Sequence, residues 1–177
     1  MKNVKEFINE LGEAGIVAIA TEKDKTITID LSMSDKKELC ISGDEYELDW
    51  VIFEIGDNFT IEIPNYEYCE VDAGNNCKIT VLGIGASVRA DNNCKIQTGN
   101  ESYIYCDDDN VIECGEEAKI ECEENNKIIA VTGRINIKGE CDNEVYIDEL
   151  NEYDGQYYIE LNSGSKINIG NIEISIP

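Results

Sequence analysis

The chain has 177 residues, of which 42 % are hydrophobic, with 38 acidic and 14 basic residues and a formal net charge of −24. This hydrophobic content supports a folded core, and the length suits one domain or one domain with a small appendage. The negative charge argues against direct binding to nucleic acid or to an anionic membrane, because both surfaces repel it. Histidine is absent, which excludes Ser-His-Asp catalysis, Cys-His catalysis and histidine-ligated metals.

Residues 1–55 are predicted to form one short helix followed by strands. The helix, over about 3–13, is indicated by apolar residues at helical spacing: Val4, Phe7, Ile8 and Leu11. Strands are predicted at 16–20, 26–31, 38–41 and 47–55. The first residues contain no apolar segment typical of a secretory signal, so a cytoplasmic location with reduced thiols is expected.

From residue 56 onward, the sequence repeats in blocks of eight residues. Each block begins with polar turn residues, after which small or apolar residues stand at positions four, six and eight. Two block types alternate, as in 91–98 (DNNCKIQT) and 99–106 (GNESYIYC). The sixth positions recur every 16 or 17 residues and are Ile79, Ile96, Ile112, Ile128 and Val145 in one series and Val88, Ile104, Ile120 and Ile137 in the other.

This recurrence predicts a mostly β fold, a parallel β-solenoid of about seven two-strand coils over 56–177. Equivalent residues would stack ~4.8 Å apart in two facing sheets. Residues 1–55, a helix plus strands, would cap one end of this acidic β-solenoid. Antiparallel hairpins are the alternative, but they give no reason for the turn sequence NNCKI to recur at 75–79 and 92–96.

Blocks of the form G-x-N-N-x-[IV]-x-[IV] resemble those of short-repeat, two-sheet β-solenoid domains found in many bacterial and phage proteins of unassigned function. The resemblance covers about 56–177 and implies an architecture without an activity. In strategy, the chain is similar to the acidic pentapeptide-repeat proteins that mimic DNA, although their five-residue period is absent here.

Six of the eight cysteines fall on inward positions of the repeat: Cys69, Cys77, Cys94, Cys106, Cys114 and Cys122. A thin core between two sheets needs small apolar side chains, and free cysteine behaves as one. Core packing is therefore the favoured interpretation, and a zinc site or a redox pair such as Cys106 with Cys122 is the alternative. No C-x-x-C motif occurs, and no metal site or cofactor is predicted. Cys141, at a turn, is expected to be the most exposed thiol.

The acidic residues concentrate at the turns between blocks. One turn series contains Asp91, Asp107, Asp108, Asp109, Glu123, Glu124, Glu140 and Asp142, and the opposite turns add Glu101, Glu116 and Glu117. Three interpretations remain open: a solvated surface that maintains solubility, an electrostatic decoy for a basic groove, and a cation site. The calcium-binding patterns G-G-x-G-x-D and D-x-D-x-D-G are both absent.

Tyrosines accompany these acids. Tyr103, Tyr105 and Tyr146 take outward strand positions, and Tyr153 lies where 148–153 breaks the register and should form a loop. Because tyrosine is enriched at binding hot spots, these tyrosines and the turn acids predict a partner-binding surface. The alternative is that the tyrosines simply cover the sheet.

No enzyme is expected. Carboxylates are so abundant that any pair is uninformative, and 82–85 (LGIG) lacks the ending of a phosphate-binding loop. The sequence therefore predicts a non-enzymatic acidic binding protein, monomeric or homodimeric, that occludes a basic, nucleic-acid-handling partner. A phage-encoded inhibitor of a host defence nuclease would have these properties. The alternative is a structural or carbohydrate-contacting β-solenoid module, for example of a phage particle.

Overall fold

The computed structural model shows a parallel β-solenoid preceded by one helix. It describes residues 2–23, 26–41, 45–64, 66–130, 135–147, 157–169 and 172–177. The helix α1 spans Val4–Glu13. The strands are β1 (Ile19–Lys23), β2 (Thr26–Asp30), β3 (Glu38–Cys40), β4 (Val51–Ile55), β5 (Thr60–Ile63), β6 (Glu70–Ala73), β7 (Lys78–Val81), β8 (Ser87–Ala90), β9 (Lys95–Thr98), β10 (Tyr103–Cys106), β11 (Val111–Cys114), β12 (Lys119–Cys122), β13 (Lys127–Ala130), β14 (Ile135–Gly139), β15 (Glu144–Ile147), β16 (Tyr157–Leu161), β17 (Lys166–Ile169) and β18 (Ile172–Ser175).

Within the described residues, the strands form two sheets of nine strands each. The first sheet has the order β1-β2-β4-β6-β8-β10-β12-β14-β16, and the second has the order β18-β17-β15-β13-β11-β9-β7-β5-β3. Successive strands from β2 to β17 alternate between the sheets and pair in parallel, which confirms the predicted solenoid. The predicted solenoid begins at residue 56 and has about seven coils. In the structure, parallel pairing begins earlier, because β2 and β3 already pair with β4 and β5, so the coil count differs slightly.

The predicted register is confirmed strand by strand. Ile79 pairs with Ile96, and Ile96 pairs with Ile112, in the second sheet. Ile104 pairs with Ile120 in the first sheet. These side chains are buried, because successive residues of a strand point to opposite faces and the sixth position faces the core.

Helix α1 covers the N-terminal end of the solenoid. Asn3 caps it and forms a reciprocal capping box with Glu6, and its buried face consists of Phe7 and Leu11. The first strand starts at Ile19 instead of the predicted residue 16. The sheets continue without interruption from β4 into β6, and the division into a cap and a solenoid at residue 55 stays a prediction.

The C-terminal block differs from the prediction. The repeat places another solenoid block at 170–177, but β18 pairs antiparallel with β17. Only two residues separate these strands, whereas a parallel neighbour requires a long crossover connection. The predicted loop at 148–153 lies outside the described residues.

The turns form two opposite edges of the solenoid. Edge I contains the described turns from the first sheet to the second, at 31–37, 56–59, 74–77, 91–94, 107–110, 123–126, 140–143 and 162–165. Edge II contains the described turns that lead into strands of the first sheet, at 48–50, 66–69, 82–86, 99–102 and 115–118. Because each strand crosses the width of its sheet, a residue on edge I and a residue on edge II face opposite directions.

In most described turns the third residue adopts the left-handed conformation. On edge I six of these residues have φ between 57° and 59° and are Asn58, Asn76, Asn93, Asp109, Asn125 and Asp142, and Gly164 has φ of 82°. Asn and Asp tolerate this conformation better than other side chains, which explains their recurrence. Their backbone N–H groups bond to the next coil, as Asn93 does to the carbonyl oxygen of Asp108 at 3.1 Å.

The six cysteines predicted to face inward are buried, as expected from their positions. Burial raises the pKa of the Cys69, Cys114 and Cys122 thiols to about 12, so these thiols stay protonated at neutral pH. The expectation for Cys141 is wrong. Cys40, on the outer face of β3, is exposed, whereas Cys141 is half-buried.

Candidate protein-binding surface

An outer row of side-chain hydrogen bonds links the second residues of five consecutive edge I turns, from 56–59 to 123–126. The Oδ1 atom of Asp57 accepts the N–H of Asn75 at 2.8 Å, and Asn75 does the same for Asn92 at 3.3 Å. In the next two coils, Oδ1 of Asn92 accepts the N–H of Asp108 at 3.0 Å, and Oδ1 of Asp108 accepts the N–H of Glu124 at 2.8 Å. One oxygen of Asp108 is therefore a structural acceptor.

An inner row fixes the same turns from the core side. Asn110 donates its N–H to Oδ1 of Asn126 at 2.9 Å, and Asn126 donates its N–H to Oδ1 of Asn143 at 2.8 Å. The Asn126 amide also donates to the carbonyl oxygens of Asp107 at 2.8 Å and Glu124 at 3.0 Å. Asn126 and Asn143 are buried, and their side-chain oxygens accept the buried N–H groups of Asn110 and Asn126. The turns that carry the acids are held at the spacing of the coils.

Edge I presents acids on four consecutive coils. The first turn positions hold Asp91, Asp107, Glu123 and Glu140, the second hold Asp108 and Glu124, and the third hold Asp109 and Asp142. Neighbouring coils are ~4.8 Å apart, so two acids per coil give one negative charge per ~2.4 Å along the edge. This charge spacing lies between that of a single DNA strand, ~3.4 Å, and that of duplex DNA, ~1.7 Å. The acidic stretch of edge I, from 91 to 142, therefore approaches the charge density of a nucleic acid.

In the described part of the solenoid that carries these acids, basic residues lie on the sheet faces, away from the acids. Lys78, Lys95 and Lys127 are exposed on the second sheet, and Arg89 and Lys119 are exposed on the first. From 56–59 onward, the described turns of edge I contain no basic residue; Lys36 and Lys37 lie in the turn at 31–37, three coils before Asp91. In the part of the chain that the structure describes, every ion pair within 4.0 Å uses either Lys2 or Arg89. A basic partner would therefore meet an attractive surface on the edge and a mixed one on the faces.

The crowding of acids on edge I affects the carboxyl group of Asp107. Burial, and then the neighbouring charges of Asp91 and Asp108, raise the pKa of the Asp107 carboxyl. The charged form of this residue therefore destabilises the fold, and a cation or a basic side chain placed here would relieve that cost.

We expect Asp107→Asn to stabilise the protein at pH 7. The pKa of Asp107 is raised in the folded state, so its protonated form favours folding. This contribution to the free energy of unfolding is complete below the pKa of the unfolded state and is lost as the pH rises through the folded-state pKa. The melting temperature of the variant should exceed that of the wild type by ~1–2 °C, which corresponds to ~0.5 kcal/mol. Melting curves between pH 4 and 7 should show this difference shrinking towards acid pH. A difference that grows towards acid pH would contradict the repulsion.

The structure divides the residues predicted to bind a partner. Seven lie together on edge I: Asp107, Asp108, Asp109, Glu123, Glu124, Glu140 and Asp142. Glu101, Glu116 and Glu117 lie on edge II, and Tyr103 and Tyr105 are exposed on the first sheet between the edges. Tyr146 is half-buried on the second sheet, where its hydroxyl donates to Oε2 of Glu144 at 2.9 Å. Tyr153 lies outside the described residues.

Edge II also presents an exposed apolar surface that the sequence analysis missed. We call it the aromatic patch; its members and their exposed fractions are Trp50 67 %, Tyr68 41 %, Leu82 45 % and Ile84 43 %. A signal was present, because 48–55 (LDWVIFEI) fits the eight-residue block, with Trp50 in the third position. The prediction of one strand over 47–55 did not separate the turn at 48–50 from β4, and so it did not place Trp50 at a turn.

The described residues contain no group of three or more Cys, Asp or Glu side chains placed to hold a metal ion. No helix in the described ranges is long and apolar enough to cross a membrane. Comparison with known proteins found no matching protein-family model, no matching curated protein and no matching solved structure.

Proposed function

We propose that this protein is a non-enzymatic binding protein whose acidic edge I occupies a basic groove on a nucleic-acid-handling partner. The observation that supports this function best is the stacking of acids on four consecutive coils without basic neighbours. Because both rows of hydrogen bonds fix the turns, little conformational entropy is lost when the acids are bound. A surface organised in this way attracts a basic partner over a long range and gives fast, salt-sensitive association.

Such a protein would act by occlusion. While edge I fills the groove, nucleic acid is excluded by sterics and by like charge, and no covalent step is needed. An inhibitor that a phage directs against a host defence nuclease is the biological role that we propose for it.

A capture experiment tests this function. Bacterial lysate is passed over the immobilised protein and eluted with a salt gradient, or with duplex DNA at constant low salt. We expect one discrete basic nucleic-acid-handling protein to be retained and then released by DNA. A parallel column carries the protein with Asp107, Asp108, Glu123 and Glu124 replaced by their amides and should not retain that partner. Retention of abundant ribosomal proteins alone, equally on both columns, would reject the proposed function and favour a structural role.

A further inference from the structure

The aromatic patch on edge II begins with two stacked rings. Trp50 and Tyr68 belong to neighbouring coils, and their ring centroids lie 4.3 Å apart with an interplanar angle of 15°. Their exposed fractions show that stacking leaves much of both side chains open to solvent. Large exposed aromatic side chains are the residues that most often dominate the energy of protein interfaces.

Both rings stand where the backbone disfavours them. Trp50 has φ of 65° and Tyr68 has φ of 55°, in the third turn position that holds Asn or Asp on most coils of edge I. The left-handed conformation brings a Cβ atom too close to the following carbonyl oxygen, and bulky residues rarely adopt it. The fold would be better served by Gly or Asn at these positions. A strained residue that is also exposed points to a function beyond stability.

The next coil is shaped around the Tyr68 ring. At Gly85, which has φ of 71°, an added Cβ would lie 2.5 Å from Cδ1 of Tyr68, so only glycine permits the ring to lie there. Tyr68 donates its N–H to the carbonyl oxygen of Ile84 at 3.0 Å. Ile84 and Leu82 then extend the apolar surface onto this coil. The patch therefore spans three coils with a defined geometry.

The surroundings of the patch are acidic. Asp49 and Glu67 are exposed beside the rings, and Asp49 accepts the N–H of Glu67 at 3.0 Å. Glu101 occupies the third turn position on the coil after Gly85. The described turns of edge II contain no basic residue. An occupant of the patch must therefore combine positive charge with apolar or planar groups.

We propose that the aromatic patch docks a polypeptide segment in which arginine side chains alternate with apolar ones. A guanidinium group is planar, stacks on Trp and Tyr faces and pairs with carboxylates, whereas the lysine ammonium is compact and more strongly hydrated. Apolar neighbours of the arginine would cover Leu82 and Ile84. The site faces away from edge I, so it is a second interaction surface, and its test does not depend on the function proposed above.

Trp50 is the only tryptophan in the chain, so its fluorescence reports directly on the patch. The probe is a peptide of three arginines alternating with leucines, compared with its lysine and citrulline analogues. We expect a saturable fluorescence change with the arginine peptide, with affinity about fivefold weaker for lysine and at least about tenfold weaker for citrulline. Equal affinity for the arginine and lysine peptides, or no saturable change, would overturn the proposal.

Variants distinguish binding at the aromatic patch from attraction by the overall negative charge. Binding is measured by the fluorescence anisotropy of a labelled arginine peptide. Trp50→Gly should weaken binding at least about tenfold, while the melting temperature stays unchanged or rises because glycine suits this backbone. Tyr68→Ala should also weaken binding. Amides in place of Asp107, Asp108, Glu123 and Glu124 should change the affinity less than about twofold, since edge I faces away. Full binding by Trp50→Gly, or loss of binding in the edge I variant, would refute docking at the patch.

Discussion

Replacing Asp107, Asp108, Glu123 and Glu124 together by Asn and Gln should weaken binding to the captured basic partner about a hundredfold at low salt. Four exposed charge contacts worth ~0.5–1 kcal/mol each give an effect of this size. The loss should appear mainly as slower association and a shallower dependence of the affinity on salt, because long-range attraction is what the substitutions remove. Titrations at several salt concentrations measure both quantities.

The amide substitutions are chosen so that the fold survives. Asp108 accepts the N–H of Glu124, and Asn92 performs the same task one coil earlier with an amide oxygen. Asp108→Asn therefore keeps the acceptor while removing the charge, whereas Asp108→Ala would break the row. Circular dichroism and the melting temperature should match the wild type, or exceed it slightly because repulsion at Asp107 is relieved.

A matched control removes the same net charge from exposed acids away from the turns of edge I: Glu13, Glu22, Glu54 and Glu62, again replaced by amides. Both four-fold variants remove four negative charges and change the net charge from −24 to −20. If the partner recognises edge I, the control should bind within about threefold of the wild type. Equal losses in both variants would show that only bulk charge matters, and retained binding in both would show that edge I is not the contact surface.

Much of the fold could be predicted from the sequence, because a solenoid repeats one local rule. A hydrophobic position every second residue and a polar turn every eighth residue specify which side chains point inward. The spacing from Ile96 to Ile112 then specifies the stacking without any long-range information. The acids of edge I could be placed in the same way, since their block positions determine their edge.

Other features depend on contacts that the repeat does not encode. The antiparallel pairing of β18 follows from the two residues that separate it from β17 and interrupts a pattern that otherwise continues. The aromatic patch arises because the turn at 48–50 leads into β4, which pairs in parallel with β2 and β6 although these turn residues do not resemble NNCKI. The prominence of edge I likewise depends on the lysines lying on the sheet faces, because only the three-dimensional arrangement shows how far the two charges are separated.

We expect Asn126→Ala to lower the free energy of unfolding by ~4 kcal/mol. The substitution removes three hydrogen bonds and leaves two backbone groups without a partner, the N–H of Asn110 and the carbonyl oxygen of Asp107. The carbonyl oxygen of Glu124 loses one bond but still accepts the N–H of Asp109 at 3.2 Å. Each such group costs ~1–3 kcal/mol when it is buried unpaired. The melting temperature should fall by ~10 °C, and urea unfolding should report the same loss.

Asn110→Ala is the matched control, since Asn110 is buried in the same row one coil earlier. Its Oδ1 accepts the N–H of Cys94 at 2.7 Å, but its Nδ2 has no hydrogen-bond partner among the described residues. One lost bond instead of three should lower stability by ~1–2 kcal/mol. Equal losses in the two variants would show that removed side-chain volume, and not hydrogen bonding to the turns, sets the cost. Because Asn126 holds the turns that carry Asp107 and Glu124, Asn126→Ala should also weaken partner binding below its melting temperature, whereas Asn110→Ala should weaken it less.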